Sequence, residues 1–196
     1  MNERIIEVHD LLHFLMGKRI KSILDVGAHG SPYLKLLKQL SFDVTGVDIH
    51  DDPNKVIDKF LVGNVLDVEV ENHDLVTCIS TIEHAGVSNY KVDDVAGEQA
   101  RVFEKLVSLA DKYLYITYPI GLAGEVEGQY TNITAKQHFR FTQFLDGWKW
   151  RERFYYNMDP RTSANQWKEI EGPEARYIPL DKLFGVQSIC IITAQK

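Results

Sequence analysis

Several short apolar runs in the first half of the chain end in residues whose types could do chemistry. Ser22-Ile23-Leu24-Asp25-Val26 leads into Gly27-Ala28-His29-Gly30, and Asp43-Val44-Thr45-Gly46-Val47 leads into Asp48-Ile49-His50. Phe60-Leu61-Val62 leads into Gly63-Asn64, and Asp74 to Ile79 leads into Ser80-Thr81-Ile82-Glu83-His84. A glycine turn between a strand and a helix lets a ligand come close to the backbone, since glycine has no Cβ to collide and tolerates positive φ. A carboxylate closing the next strand, roughly 20 positions on, can accept both hydroxyls of a ribose. Gly27 and Asp48 together point to a nucleoside-containing ligand. The turn does not complete the G-x-G-x-x-G spacing of a dinucleotide site, and taken alone it also reads as a tight turn with no ligand.

These residues need a scaffold, and the sequence supplies one. Ile5, Ile6, Val8, Leu11, Leu12 and Leu15 recur at helical spacing, so the chain begins with an amphipathic helix within residues 1–19 that ends near Gly17. The strand at 22–26 and its glycine turn are followed by a helix opened by Ser31-Pro32 and carrying Leu34, Leu36, Leu37 and Leu40. Strands at 43–48, 60–62 and 74–80 follow, then a helix over 95–110 with Val102, Phe103, Leu106 and Leu109 on one stripe, and a fifth strand at 113–118. Strands alternating with helices imply parallel βαβ units in an open sheet covered on both faces. In such a sheet the ligand lies beyond the carboxyl ends of the strands. The rest of the chain breaks the rhythm: a long loop or lid at 119–134, a short helix at 138–146, an alternating edge strand at 148–156, an irregular stretch with Pro160, Gly172, Pro173 and Pro179, and a last apolar strand at 187–194. One domain over 1–196 is expected.

With 196 residues, 44% of them hydrophobic and 26% charged, the chain has the composition of an ordinary globular domain. Its 22 Lys+Arg against 28 Asp+Glu give a net charge of −6. That balance argues against phosphate-driven nucleic-acid binding, which needs a basic footprint. Cys78 and Cys190 sit inside apolar runs and read as buried thiols. No apolar run approaches the roughly 20 residues of a membrane span, and the first residues carry no secretory pattern. The expectation is a cytoplasmic protein acting on a small molecule, without nucleic acid or membrane partners and with oligomerisation left open.

The segment Ser22-Ile23-Leu24-Asp25-Val26-Gly27-Ala28-His29-Gly30-Ser31 resembles motif I of the class I S-adenosylmethionine-dependent methyltransferases. Further positions agree in order: Asp48 ending the second strand, Gly63-Asn64-Val65 after the third, and His73-Asp74-Leu75-Val76 through Ser80-Thr81-Ile82-Glu83-His84 along the fourth. The resemblance spans about residues 20–196. It implies a Rossmann-like methyltransferase fold: a mostly parallel seven-stranded sheet with an antiparallel last strand and helices on both faces. It also implies S-adenosyl-L-methionine as cofactor, held by Asp25, Gly27, Ala28, His29, Gly30, Asp48, Ile49, Asn64, Val65, Ser80 and Thr81. Two positions depart from the pattern. His29 stands where the family commonly has its second glycine, and Asn64 replaces the usual aspartate. Gly30-Ser31-Pro32-Tyr33 resembles a variant found in members linked to sugar or surface-glycan biosynthesis, which implies a sugar or glycan precursor as acceptor.

Methyl transfer asks the protein to align a nucleophile, exclude water and often remove a proton. His84 is the leading base, because imidazole titrates near neutral pH and the position follows the fourth strand. Glu83 is its neighbour, and His29 and His138 are alternatives. Tyr33, Tyr118, Tyr130 and Asn132 are candidates for the acceptor side, with 119–137 and 157–185 as substrate-side insertions. Lys149, Arg151 and Arg153 share one face of the 148–156 strand, where they either meet an anion or blunt a sheet edge. His29, His50 and His84 end adjacent strands, but no short ligand pair accompanies them, so no metal is assigned. The rival readings are an NAD(P)-dependent oxidoreductase and a non-catalytic S-adenosylmethionine-binding protein.

Overall fold

The structure, a computed structural model, describes residues 3–52, 55–87, 94–126, 129–158, 166–179 and 186–196. Helix α1 spans Arg4–Leu15, β1 Ser22–Val26, α2 Leu34–Gln39, β2 Asp43–Asp48, β3 Lys59–Val62 and β4 His73–Ile79. They are followed by α3 (Val95–Leu109), β5 (Ala110–Pro119), a small hairpin of β6 (Glu125–Val126) and β7 (Tyr130–Thr131), and α4 (Ala135–Gln143). The chain closes with β8 (Lys149–Asn157), β9 (Trp167–Ile170), α5 (Gly172–Ala175) and β10 (Ser188–Gln195).

The main sheet runs β3-β2-β1-β4-β5-β10-β8-β9. Its first five strands are parallel, and β10 lies antiparallel between β5 and β8. This sheet has eight strands instead of the expected seven. The addition is β9, which pairs antiparallel with Phe154–Asn157 of β8. For that reason β8 is not the edge strand its alternation suggests: β10 covers it along its length and β9 covers its second half. Two of the three basic side chains on its face have partners within the protein. Arg153 is ion-paired with Asp10 of α1, and Arg151 donates to Thr193 Oγ1 at 3.4 Å.

Side chains alternate across each strand, so each face of the sheet needs its own cover. Ile23, Leu75 and Tyr115 meet Leu11 and Phe14 of α1 and Leu34 and Leu37 of α2. Leu24, Val76, Cys78 and Ile116 meet Val102, Phe103 and Leu106 of α3 and Phe141 of α4. The Phe103 and Phe141 rings stack at 4.8 Å, and burying each such side chain contributes roughly 1.5–3 kcal/mol. Cys78 and Cys190 are free and buried, as their apolar context suggests.

Local chemistry sets the helix starts. Asp94 caps α3 by accepting from Gly97 N at 2.8 Å, and Thr134 with Gln137 forms a capping box at the head of α4. Helix α2 begins later than Ser31-Pro32. The Ser31 amide bonds Ala28 O and the Tyr33 hydroxyl is tied to Asp25, so regular pairing starts with Leu37 N donating to Tyr33 O. The expected 119–134 lid carries the β6–β7 hairpin, pinned at its base by an Ile120–Ile133 bridge. Residues 53–54, 159–165 and 180–185 lie outside the described residues, and with them Pro53, Pro160 and part of the 157–185 insertion. Among the described residues, no helix is long and apolar enough to cross a membrane.

Candidate functional site

A cleft of about 370 Å³ opens at the carboxyl ends of β1, β2, β3 and β4. Gly27 and His29 line it from the first turn, Asp48, Ile49 and His50 from the second, and Gly63, Asn64 and Val65 from the third. Ser80, Thr81, Ile82 and His84 come from the fourth turn, Glu98 and Val102 from α3, and Arg4 from α1.

The turns are shaped by backbone demands. Gly27 has φ +86°, and a Cβ there would stand 2.0 Å from Thr81 Oγ1, so no other residue fits without moving the fourth turn. Ser80 holds φ +43°, a strained value for serine. It is kept there by its amide bonds to Thr117 O and Oγ1 and by its hydroxyl, which donates to Glu7 Oε1 at 2.5 Å. Asp48 braces the two neighbouring loops: Oδ2 accepts from His29 N at 3.0 Å and Oδ1 from His50 N at 2.9 Å. Each carboxylate oxygen keeps a further lone pair for the cleft.

The histidines take different positions. His29 Nδ1 lies 2.8 Å from Asp51 O, and its ring packs edge-on against His50 with centroids 5.4 Å apart. His84 sits apart from this pair: its Nδ1 is 2.6 Å from Gln129 O and its ring faces Tyr130 at 5.7 Å. Only an N–H can bond a carbonyl oxygen, so Nδ1 of His84 carries the proton and Nε2 is the lone-pair nitrogen. Burial lowers the His84 pKa, which keeps the ring neutral at physiological pH. Among the described residues, no three histidine, cysteine or acidic side chains form a metal-binding group.

Other anticipated residues do not reach the cleft wall. Asp25 is fully buried, its Oδ1 accepting from Tyr33 OH at 2.8 Å and Thr77 Oγ1 at 2.6 Å. Burial pushes its pKa up to about 6, against the pull of those two hydroxyls. Tyr33 and Ala28 are buried with it, and Gly30 is not among the cleft residues. Glu83 is buried beside His84, its Nε2 4.0 Å from Glu83 Oε1, and burial raises the carboxyl well above its ordinary pKa. Tyr118, His138 and Glu152 form a chain of their own in the far half of the sheet. Tyr118 OH is 2.7 Å from His138 Nδ1, and His138 Nε2 is 2.8 Å from Glu152 Oε2. Asn132 is buried and donates to Leu122 O within its own loop. Tyr130 is half-exposed on the hairpin against His84. Asn64 uses Oδ1 to accept from Leu66 N at 3.0 Å, leaving that carbonyl one further lone pair.

Arg4 and Glu7 were not anticipated. Leu11 and Phe14 mark the buried face of α1, and tracing that face back by helical steps reaches Glu7 and then Arg4, a charged pair on an apolar stripe. Glu7 Oε1 accepts from Thr117 Oγ1 as well as Ser80 Oγ, and Tyr115 OH donates to Glu7 O at 2.7 Å. Arg4 Nη1 donates to Ile79 O at 2.7 Å and to Glu7 Oε2 at 3.3 Å.

No family model matches the chain, and no curated protein matches it in sequence. Solved structures do match. A SAM-dependent methyltransferase from Archaeoglobus fulgidus aligns over 98% of this chain and 93% of its own, with TM-score 0.62 and 16% identity. Magnesium protoporphyrin IX methyltransferase from Synechocystis, with bound SAM, aligns over 98% and 77% at TM-score 0.56 and 12% identity. The 1,6-didemethyltoxoflavin-N1-methyltransferase of Burkholderia thailandensis aligns over 95% and 75% at TM-score 0.56 and 16% identity. The fold is therefore the Rossmann-like α/β fold of these methyltransferases, in one layer of mostly parallel sheet between two layers of helices.

Proposed function

We propose that the cleft binds S-adenosyl-L-methionine and that the protein is a methyltransferase acting on an oxygen or nitrogen nucleophile of a small molecule. The observation that carries this reading is the meeting of Gly27 and Asp48 on one cleft wall, beside an apolar slot formed by Ile49, Val65 and Val102. A carboxylate beside an apolar slot suits a ribose carrying a flat base, and the Gly27 turn leaves backbone accessible to the rest of the ligand. The cofactor's sulfonium would supply an already activated methyl group. What remains for the chain is to orient the acceptor, exclude water and take a proton.

His84 Nε2 suits the last of these tasks. Its partner atom Nδ1 is fixed by Gln129 O, and its depressed pKa leaves Nε2 able to accept a proton at neutral pH. The hairpin that carries Gln129 and Tyr130 covers this side. It is tied to α3 through Gln99, whose Nε2 donates to Thr131 Oγ1 at 3.1 Å. His29 faces His50 and the Asp51 carbonyl instead, and His138 is enclosed with Tyr118 and Glu152, so neither rivals His84.

The acceptor as a small molecule is in keeping with the net charge of −6 and with the porphyrin and toxoflavin methyltransferases among the structural neighbours. A sugar or glycan acceptor rests on the resemblance of Gly30–Tyr33 alone, since Tyr33 is buried on Asp25. The antiparallel β10 and the incomplete glycine spacing weigh against a dinucleotide oxidoreductase. Calorimetric titration with S-adenosylmethionine, S-adenosylhomocysteine and NAD tests the reading. The first two should bind and NAD should not, and Asp48→Ala should weaken S-adenosylhomocysteine by at least 10-fold or so. Tight NAD binding, or an indifferent Asp48→Ala, sinks it. With an acceptor found from a panel of hydroxyl and amine compounds, His84→Gln should lower turnover about 10²-fold at unchanged cofactor affinity. Wild-type turnover should rise with pH through a pKa below 6.5 and be flat near neutrality. An unchanged rate removes His84 as the base, and binding without transfer to any acceptor favours a non-catalytic binding protein.

A further inference from the structure

We infer that Arg4, brought into the cleft by the N-terminal helix, binds the carboxylate of an amino-acid-bearing nucleoside and so selects such ligands over nucleosides that lack the carboxylate. The inference rests on the cofactor reading above and adds the residue that would recognise the ligand's anionic end.

The cleft wall is polar in an uneven way. Asp48 closes β2 and offers acceptors, which suit hydroxyl donors. Arg4 is the only lysine or arginine among the described residues lining the cleft. It leans on Ile79, the last residue of β4. In the strand order β2-β1-β4 these two ends are two strand spacings apart, roughly 9–10 Å across the sheet. A ligand spanning them needs a diol at one end and an anion at the other. Gly27 lies between them at the end of β1 and lines the same cleft, adding no side chain of its own beside Thr81.

The guanidinium is also held in a way that leaves it able to bind. Its contacts to Ile79 O and to Glu7 Oε2 both run through Nη1, so the hydrogens on Nε and Nη2 have no partner among the described residues. Its side chain is 32% exposed, whereas that of Glu7 is fully buried. Glu7 in turn is fixed by Ser80 and Thr117 from the ends of β4 and β5, so the helix that carries Arg4 is docked on the sheet and does not swing freely. A guanidinium presents a planar fork of donors that matches a carboxylate, and its charge persists at any working pH.

The test compares two adenosine thioethers by calorimetry: S-adenosylhomocysteine, which carries the amino-acid carboxylate, and methylthioadenosine, which does not. Arg4→Gln should weaken S-adenosylhomocysteine roughly 10- to 100-fold and leave methylthioadenosine within about twofold of wild type. Equal losses for both ligands, or no loss for either, overturn the inference while leaving the cofactor reading in place. Wild-type protein that binds neither ligand overturns both. Should Arg4→Gln fail to fold, a salt series on the wild type decides: S-adenosylhomocysteine affinity should fall with ionic strength relative to methylthioadenosine. A constant ratio between the two overturns the assignment.

Discussion

At the carboxyl ends of β1, β2 and β4 the polar residues are braced by backbone and still face a cleft. Asp48 takes two amide hydrogens and lines the wall, and His84 gives Nδ1 to a carbonyl and keeps Nε2. Beyond β5 the polar residues are taken up by one another: buried Tyr118 meets buried His138, His138 meets the partly exposed Glu152, Arg153 of β8 pairs with Asp10 of α1, and Asn132 bonds its own loop. The same residue types therefore do different work in the two halves. A histidine bonded on one nitrogen by backbone has an atom left for chemistry, whereas a histidine bonded on both by side chains has none. Asp25 is the exception that defines the rule, because it sits on a cleft strand yet its bonded oxygen is taken by Tyr33 and Thr77.

The largest effect should come from the residue that shapes the first turn. Gly27→Ala would force a Cβ against Thr81 Oγ1, 2.0 Å away, at a φ of +86° that alanine resists. Thr81 would have to move, carrying the cleft wall with it. S-adenosylhomocysteine affinity should fall by about 10² or more, and the melting temperature should drop by several degrees. Retained affinity in a calorimetric titration would mean that the cleft half is less tightly determined by its backbone than the geometry says.

Asp25→Asn sharpens the comparison from the other side. The wild-type carboxyl titrates at about 6 when folded against 3.8 for the unperturbed group, so the folded state holds the proton more tightly. Its contribution to stability is complete below pH 3.8 and is lost as pH rises through about 6. Asparagine cannot ionise. Relative to wild type, the variant should gain on the order of 3 kcal/mol between about pH 4 and about pH 7, read from urea midpoints at both. Its S-adenosylhomocysteine affinity should stay within about twofold. A large affinity loss would place Asp25 among the ligand-binding residues after all.

The same contrast governs what the sequence discloses. Gly27, Asp48 and His84 are legible because each follows a short apolar run, and the end of a parallel strand is where backbone pairing stops and loops begin. The helices of the first half and the last strand are legible for similar local reasons, while the antiparallel direction of that strand follows only from the family resemblance. Glu7 is not, because its burial depends on Ser80 and Thr117, 73 and 110 positions away. Read alone, the first helix shows only its leucines and isoleucines. Strand β9 is four residues long and gains its identity from pairing with β8, too little for alternation to reveal. Tyr118 and Asn132 have the residue types of an acceptor site, but type says nothing of the partner that folding brings to them.

Tyr118→Phe should have the smallest effect and separates the two halves most directly. The Tyr118 hydroxyl donates to His138 Nδ1, which leaves the Nε2 proton of that ring for the Glu152 carboxylate. That bond holds the Glu152 pKa below its ordinary value. Phenylalanine fills the same apolar space against Phe141, whose ring meets Tyr118 edge-on at 5.7 Å, so no cavity opens. The cost is one buried nitrogen without its donor, about 1–2 kcal/mol in urea unfolding. Because no atom of Tyr118 lines the cleft, S-adenosylhomocysteine affinity should not move and turnover should stay within about twofold. Lost turnover at unchanged stability would show that the chain of Tyr118, His138 and Glu152 reaches the acceptor, and the boundary between the two halves would have to be redrawn around it.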